Sequence, residues 1–503
     1  MNPNPNLGTL FPLGPEFPFI VDCRLDATSS APIWTNRAID EYANGVAARL
    51  RTGGYRPGDR IAVLSQNRVE FIIAYLGIMR AGLIAVPVNI KFPPETIAYV
   101  LSDCGARFAF VDDLGEQLAP SSLPRQSFDA PAFLEPNTHY QATAHDADDV
   151  AMFLYTSGST GKPKGVPLTH HGHRWVIQRR LRPDIDYASE RLLVAAPLYH
   201  MNALAIVKFA AAAGASVVLL PQFTAPAYIN AIENHRCTWL TSVPTMLALV
   251  AQERALLAKT DLSSVTSVRM GSAPVTARLL AQVREAFPSA QVQIGYGTTE
   301  SGPVAFGPHP DGYPTPDLSL GFPDREVDVR LADSSGEGNP AHGVLEIRCP
   351  AVTPGYHELP EKTARAMTED GYYRTGDVMR QDDQGFYYFV GRDDDMFVCN
   401  GENVFPEEVE RRLEGHPDIL QACVVPVDDE VRGQMPVAFV VAKSPGTLDE
   451  EAVKQFAINN GPAYQHPRHV LFREALPLAG TNKYDRHFLS ELAEQHVHER
   501  QAP

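Results

Sequence analysis

Residues 155–165 read Tyr-Thr-Ser-Gly-Ser-Thr-Gly-Lys-Pro-Lys-Gly and follow the apolar run Met152–Leu154. A short apolar run bounded by turn residues predicts a buried strand. The stretch after it combines hydroxyls, glycines and two lysines, so backbone N–H groups, hydroxyl donors and cations can converge on one anion. It is not a Walker A loop, because Pro163 stands where that motif needs Ser or Thr. The stretch predicts a phosphate-binding loop, with a flexible surface loop as the alternative.

Strand-like and helix-like segments alternate around this loop. Strands are predicted at residues 61–64, 84–88, 107–111, 152–154, 216–220, 238–243, 265–270 and 291–295, and helices at 69–79, 226–234, 245–252 and 276–287. Such alternation predicts an α/β fold with parallel-rich sheets that helices cover. Short strands with Gly and Asp turns follow from about Val327, including a hairpin turn at 381–385, and they predict a β-rich subdomain.

The last hundred residues form a separate small α/β pattern. Helices are predicted at 406–413 and 448–458, and strands at 421–427 and 436–442. A chain of 503 residues is too long for one ordinary domain. We therefore predict a large N-terminal domain, residues 1–393, and a small mobile C-terminal domain, residues 394–503.

Composition narrows the class of protein. A formal net charge of −17 without a basic stripe argues against binding nucleic acid or an anionic membrane. Six scattered cysteines predict reduced thiols in a cytoplasmic protein. The proline-broken N-terminus has no basic residue, which argues against a signal peptide. Lys208 and Gly214 interrupt the apolar run at 203–220, so a buried helix and strand are expected there, with no integral membrane segment.

Six further motifs follow the phosphate-loop sequence in order. They are PLYH at 197–200, YGTTE at 296–300, YRTGD at 373–377, GRDD at 391–394, NGEN at 400–403 and TNK at 481–483. Together they resemble the adenylate-forming superfamily, which includes acyl- and aryl-CoA ligases, adenylation domains of peptide synthetases and luciferases. The resemblance runs from about residue 35 to 490. It implies that an acid is converted to acyl-AMP with release of pyrophosphate, and that the acyl group passes to a thiol after the C-terminal domain rotates. ATP, Mg²⁺ and coenzyme A are the implied cofactors.

The resemblance also implies roles for individual residues. The implied catalytic residues are Lys483, which bridges the carboxylate and the α-phosphate, Thr299, Glu300, which also associates with Mg²⁺, and His200. The implied ATP and AMP contacts are Thr156, Ser157, Gly158, Ser159, Thr160, Gly161, Lys164, Gly271, Ser272, Ala273, Tyr296, Gly297, Thr298, Asp377 and Arg392. Asp394 matches the hinge, and Asn400 and Gly401 match the wall of the CoA tunnel. Ser272 and Asn482 stand where the family commonly has glycine.

The pocket for the acid is expected around His200, Ser242–Met246 and the YGTTE motif. Its implied lining residues are Met201, Asn202, Val243, Met246, Gly295 and Gly302. This mostly apolar and small set suits an aryl or alkyl acid. No Asp lies within 198–209 to hold an amine, so an α-amino acid is disfavoured. Lys208 could pair with a second carboxylate, so a small dicarboxylic acid stays an alternative substrate, although the helical spacing of Lys208 favours an exposed side chain.

Three functions compete on the sequence alone. The leading one is a ligase that uses ATP to join a small-molecule acid to CoA. A homodimer is one of the oligomeric states considered. The second is a freestanding enzyme that loads an acyl-carrier protein. The third is a non-catalytic nucleotide-binding protein. The presence of all four implied active-site residues argues against it: Glu300, Asp377, Arg392 and Lys483. The histidines at 170, 171 and 173 have no partnering Cys or acid cluster, so solvated side chains are expected rather than a metal site.

Overall fold

Runs of β-branched and small apolar residues form the strands of two large sheets. The computed structural model describes residues 6–24, 28, 30–156, 162–332, 341–429, 431–444, 446–477 and 484–501. Ser157–Gly161 and Lys483 lie outside these described residues.

The elements up to residue 295 are, in chain order, β1 (Pro18–Asp22), β2 (Ile33–Thr35), α1 (Asn36–Thr52), β3 (Arg60–Leu64), α2 (Val69–Arg80), β4 (Ile84–Pro87), α3 (Pro94–Asp103), β5 (Ala106–Val111), α4 (Asp113–Leu118), β6 (Arg125–Ser127), β7 (Val150–Thr156), β8 (Lys164–Thr169), α5 (His170–Arg180), β9 (Arg191–Val194), α6 (Met201–Ala213), β10 (Ser216–Leu219), α7 (Ala225–His235), β11 (Trp239–Ser242), α8 (Pro244–Gln252), α9 (Arg254–Leu257), β12 (Ser267–Gly271), α10 (Ala277–Ala286) and β13 (Gln291–Gly295).

The later elements are β14 (Phe306–Gly307), β15 (Phe322–Pro323), β16 (Asp328–Ala332), β17 (His342–Arg348), α11 (Pro360–Ala366), β18 (Tyr373–Gln381), β19 (Tyr387–Arg392), β20 (Phe397–Cys399), β21 (Glu402–Val404), α12 (Pro406–Leu413), β22 (Ile419–Asp429), β23 (Gly433–Ala442), α13 (Glu450–Asn460), β24 (His469–Phe472) and α14 (Arg486–Gln501).

Two mostly parallel sheets build the first three-fifths of the chain. Their strand orders in the described residues are β13-β12-β11-β9-β10-β1-β2 and β6-β5-β3-β4-β7-β8. Only β2 and β8 run antiparallel to their neighbours within these sheets as described. The expectation of parallel-rich sheets covered by helices is therefore confirmed.

Helices α2 and α6 lie between the two sheets, in one core with strands of both. Every residue of α2 is buried, which is the pattern of a helix that packs on all sides. Further helices cover the outer faces, with α7, α8 and α10 on the first sheet and α3 on the second. The result is a helix–sheet–helix–sheet–helix stack whose strand ends open onto one cleft.

Two smaller sheets complete the chain. Antiparallel β16-β17-β18-β19 forms the β-rich subdomain, and β20 to β24 form a separate sheet with α12, α13 and α14 packed on it. The predicted boundary between residues 393 and 394 falls between β19 and β20, where the chain passes from one sheet to the other.

The expected exposure of three polar side chains is wrong. His170, His173 and Lys208 are buried, although His171 is exposed as expected. Lys208 Nζ lies 3.0 Å from His173 Nδ1 and 3.9 Å from Met152 Sδ, between α6, α5 and β7. The sequence pattern misled because α6 is covered on both sides, so its polar position also faces protein. Within the described ranges no cluster of three or more His, Cys, Asp and Glu side chains could hold a metal ion, no disulfide links the free cysteines, and no helix is long and apolar enough to cross a bilayer.

Lys208 gives the stability of this protein a specific pH dependence. Burial lowers the pKa of Lys208 to about 7, whereas the unfolded chain titrates near the ordinary value of about 10.4. Between these values unfolding takes up a proton at Lys208, so stability rises with pH. Lys208→Met removes this contribution, at about 1.4 kcal/mol per pH unit.

The free energy of unfolding of wild type minus that of Lys208→Met is expected to increase by about 2 kcal/mol between pH 7.5 and pH 9.5. Urea denaturation of both proteins at constant ionic strength measures this difference, in which other titrating groups cancel. Parallel stability curves for the two proteins would contradict a buried lysine that deprotonates in the folded state.

Candidate active site

A cleft of about 1580 Å³ opens between the strand ends of the large sheets and the C-terminal sheet. The predicted site residues that line it are Thr156, Lys164, His200, Met201, Asn202, Val243, Met246, Gly271, Ser272, Ala273, Gly295, Tyr296, Gly297, Thr298, Thr299, Glu300, Asp377, Arg392 and Asp394. These positions are far apart in the sequence, yet the fold brings them to one cavity. The roles assigned to them stay predictions.

The phosphate-loop sequence joins β7 to β8. These strands pair antiparallel, with Thr156 opposite Lys164, and both residues face the cleft at the ends of the described segments. Lys164 Nζ lies 4.3 Å from the centre of the Tyr356 ring. Burial lowers the pKa of Lys164, and the nearby Glu300 partly opposes that shift. A cation therefore stands at the start of the cleft beside a buried carboxylate.

Glu300 is held at the floor of the cleft. It is 7% exposed, and its Oε1 accepts a hydrogen bond of 3.0 Å from the Tyr356 hydroxyl. Its backbone carbonyl accepts a second bond of 2.7 Å from Thr353 N–H. A buried carboxylate with an ordered position and a lysine nearby is suited to a site that binds cations and phosphates together.

Asp377 and Arg392 sit opposite each other on paired strands β18 and β19. Arg392 Nη1 donates to Asp377 Oδ1 at 2.7 Å, and its Nε donates to Asp394 Oδ1 at 3.0 Å. The Tyr296 hydroxyl donates to the other oxygen of Asp377. Arg392 therefore links the β-rich subdomain to the segment that leads into the C-terminal sheet.

Two backbone positions shape the nucleotide side. A Cβ at Gly297 would lie 2.5 Å from both the Gly302 carbonyl oxygen and Pro303 Cα, so only glycine fits there. Ser272 adopts φ 70°, in the left-handed region that favours glycine. Glycine is the residue that adopts this conformation most readily, and Ser272 occupies it at a cost of about 1–2 kcal/mol.

The predicted acid pocket lies on the other side of the cleft. Met201 and Asn202 begin α6, and Val243 precedes α8, which carries Met246. Side chains of α6 and α8 line the cavity together with residues of β12 and β13. Gly302 does not line it, because a Cβ there would point toward Val176 and Ala351. Gly302 instead supports Gly297 from behind.

Asn400 and Gly401 also lie outside the cleft. They form the two-residue turn of the β20–β21 hairpin, with φ of 55° and 84°. Positive φ at both central residues is the requirement of a type I′ hairpin turn, for which Asn-Gly is the favoured sequence. Tyr484, next in the chain after Lys483, does line the cleft. The C-terminal sheet thus presents the Tyr484 end, rather than the Gly401 end, to the site.

The cleft residues that sequence reasoning missed include Tyr356, Arg180, Arg269 and Arg486. Tyr356 lies outside the quoted motifs. Arg269 interrupts the apolar strand Val268–Met270, and this charged position between buried neighbours was the available signal. Arg486 pairs with Glu407 and Glu410 of α12 and anchors α14 to the C-terminal sheet.

A large layered α/β domain whose strand ends face a small domain, with these carboxylates and cations between them, defines an adenylate-forming enzyme. Residues 15–357 match the family described as AMP-binding enzyme, and residues 408–483 match the AMP-binding enzyme C-terminal domain. The chain belongs to this family, among the acyl-CoA ligases.

This chain is similar to its relatives and to solved structures over nearly its whole length. Feruloyl-CoA synthase of Amycolatopsis sp. is 34% identical over 460 residues, which cover 89% of this chain and 91% of that protein. ATP-bound MatB from Rhodopseudomonas palustris has a TM-score of 0.87 at 26% identity, covering 98% of this chain and 99% of its own. The anthranilate CoA ligase AuaEII in complex with anthranoyl-AMP has a TM-score of 0.88 at 25% identity, covering 98% of both chains.

Proposed function

We propose that this enzyme is an ATP-dependent ligase that joins an aryl or alkyl carboxylic acid to coenzyme A through an acyl-AMP intermediate. The observation that supports this most directly is the single cleft in which Lys164, Glu300, Asp377 and Arg392 converge beside an apolar pocket. The similarity to feruloyl-CoA synthase and to the anthranilate CoA ligase AuaEII supports an aromatic body for the acid.

In the first half-reaction the acid's carboxylate oxygen attacks the α-phosphorus of ATP, and the bond to pyrophosphate breaks. Negative charge develops on the α-phosphate, so fixed donors and cations stabilise the transition state. We assign this role to Thr299 and Lys483, with Lys164 at the leaving pyrophosphate. Asp377 accepts the ribose hydroxyls, Arg392 holds Asp377 in place, and Tyr296 lies beside the base.

Magnesium fits the same end of the cleft. Carboxylate oxygens and phosphates are the ligands that Mg²⁺ prefers, and Glu300 is the buried carboxylate beside Lys164. When bound there, Mg²⁺ would neutralise charge on the phosphates. In the second half-reaction the CoA thiolate attacks the acyl carbon and AMP leaves. We propose that residues 394–503 rotate about Asp394 between the two steps. The homodimer and the cytoplasmic location stay predictions.

The test is pyrophosphate release with aryl, alkyl, hydroxy and dicarboxylic acids, each with and without CoA. We expect release that depends on the acid, acceleration by CoA through discharge of acyl-AMP, and AMP and acyl-CoA as products in mass spectrometry. Acyl-AMP formation that CoA does not accelerate would favour loading of a carrier protein. ATP binding without pyrophosphate release would indicate a nucleotide-binding protein.

A further inference from the structure

Two arginines lie on the acid side of the cleft. Arg269 is on β12, two residues before Gly271, and alternation along a strand places both on the same face. Arg180 ends α5, and its guanidinium carbon lies 4.9 Å from the centre of the Phe209 ring on α6. Both arginines are partly accessible and both line the cavity.

Arg269 occupies the space that Gly295 leaves empty. Its Nε lies 2.3 Å from the point that a Cβ at position 295 would take, and its Nη2 lies 2.9 Å from that point. Nη2 also donates a hydrogen bond of 3.2 Å to the Pro303 carbonyl. Gly295 on β13 therefore leaves room for the guanidinium of Arg269 on the neighbouring strand.

No carboxylate neutralises either arginine among the residues that the structure describes. Six acids that line the cleft are engaged with other partners: Glu300 with Tyr356, Asp377 and Asp394 with Arg392, Glu407 and Glu410 with Arg486, and Asp317 with Arg284. The other lining acids in the described residues are Asp393, Asp395 and Glu414, and Glu414 accepts a hydrogen bond from Ala422 N–H. An enclosed cation without a counterion is costly. Two of them on one wall therefore make a site for an anion.

The electrostatics agree with this geometry. Burial lowers the pKa of both side chains, to about 9 for Arg180, and the positive charge of Arg269 contributes to the shift at Arg180. Both guanidinium groups remain charged at neutral pH. Lys208, the residue that the sequence offered for a second carboxylate, contacts His173 in the core and is not part of the cavity lining.

The position of the pair sets which part of the substrate it meets. Gly271 and Ser272 at the end of β12 are on the predicted nucleotide side, and Arg269 lies about 7 Å further down the strand, at roughly 3.3 Å per residue. Ala205, Ile206 and Val243 form apolar wall in the same cavity. We propose that the acid is a dicarboxylic acid with an aryl or alkyl body, whose second carboxylate is held by Arg180 and Arg269 while the first is adenylated. This inference rests on the proposed function.

Matched acids that differ only at the far end test it. The pairs are 4-carboxycinnamate with 4-methylcinnamate, terephthalate with 4-methylbenzoate, and adipate with hexanoate, with kcat/KM measured from pyrophosphate release. We expect the diacid to be preferred by about 100-fold in at least one pair, because a charge-assisted fork of hydrogen bonds is lost in its partner. Arg269→Gln and Arg180→Gln should each reduce that ratio below about tenfold, mainly through KM for the diacid.

The controls separate a specific role from a structural one. In both variants kcat/KM should fall at least about tenfold more for the diacid than for the monoacid, and Arg269→Lys should retain part of the preference. Arg284→Gln removes an exposed arginine of α10 that pairs with Asp317, and it should leave the ratio unchanged. Arg180→Gln keeps the test available if Arg269→Gln fails to fold.

Three outcomes would overturn the inference. Wild type could turn over the monoacids as well as the diacids, or the arginine variants could lose activity on both acids equally, which a packing role predicts. Either result leaves the ligase activity itself standing. Absence of pyrophosphate release with every acid would instead overturn the proposed function, and this inference with it.

Discussion

Lys483→Ala is expected to reduce acid-dependent pyrophosphate release by about 1,000-fold while supplied acyl-AMP and CoA are still converted to thioester. Removal of one preorganised donor to a developing oxyanion costs about 100- to 1,000-fold, and a lysine contributes a full charge in addition to its hydrogen bond. Lys483 lies outside the described residues, but the next residue, Tyr484, lines the cleft. The first described residue after Lys483 therefore belongs to the cleft.

The measurement compares the two half-reactions in the same protein. Pyrophosphate release reports the first, and thioester formation from synthetic acyl-AMP reports the second. Lys454→Ala is a matched control, because this lysine of the C-terminal domain pairs with Glu450 on α13, away from the cleft lining. It should leave both half-reactions near wild type. Equal loss of both in Lys483→Ala would contradict a rotation that brings this lysine to the site for one step only.

The local elements of this protein could be predicted from the sequence. The apolar run 61–64 and the alternating segment 291–295 became strands, and the periodic segment 69–79 became α2. These segments have one strong period each, so local patterning decides their type. The motifs also named residues that share the cleft. Asp377 and Arg392, for example, come from two motifs and lie opposite each other because β18 pairs with β19.

Features that depend on long-range pairing could not be predicted. The N-terminal β1 joins the first sheet beside β10, with Ile20 opposite Val217. Nothing in the local pattern selects that neighbour over any other strand. The same limit hid the burial of Lys208, since a polar residue on a helix is exposed unless a second layer covers that face.

The arginine pair illustrates why specificity is harder to predict than reaction class. The motifs predicted to hold ATP are local stretches, whereas Arg180 and Arg269 are far apart in the sequence and meet only in the folded cavity. Arg269 also depends on the absence of a side chain at Gly295, on the adjacent strand. Arg269 fits in the pocket only because residue 295 has no side chain, and the sequence around residue 269 contains no sign of this.

Gly401→Leu is expected to leave adenylation within about threefold of wild type and to reduce thioester formation at least 100-fold. In the observed arrangement nothing lies within 4 Å of a Cβ at Gly401, and the hairpin turn is exposed, away from the cleft lining. The observed arrangement therefore has room for leucine. The proposed rotation brings this turn to the path of the thiol, where the same side chain would block the pantetheine arm, because close-packed protein does not accommodate an added isobutyl group without strain.

Gly446→Leu supplies the matched control. Gly446 is also an exposed turn glycine of the C-terminal sheet region, with φ of 77° against 84° at Gly401, and a Cβ at this position would likewise have no atom within 4 Å. Both substitutions thus carry the same backbone cost of about 1–2 kcal/mol, and only their positions differ. Gly446→Leu should preserve both half-reactions. Normal CoA turnover in Gly401→Leu would remove this turn from the thiol path, whereas parallel losses in the two leucine variants would assign the defect to the backbone rather than to the tunnel.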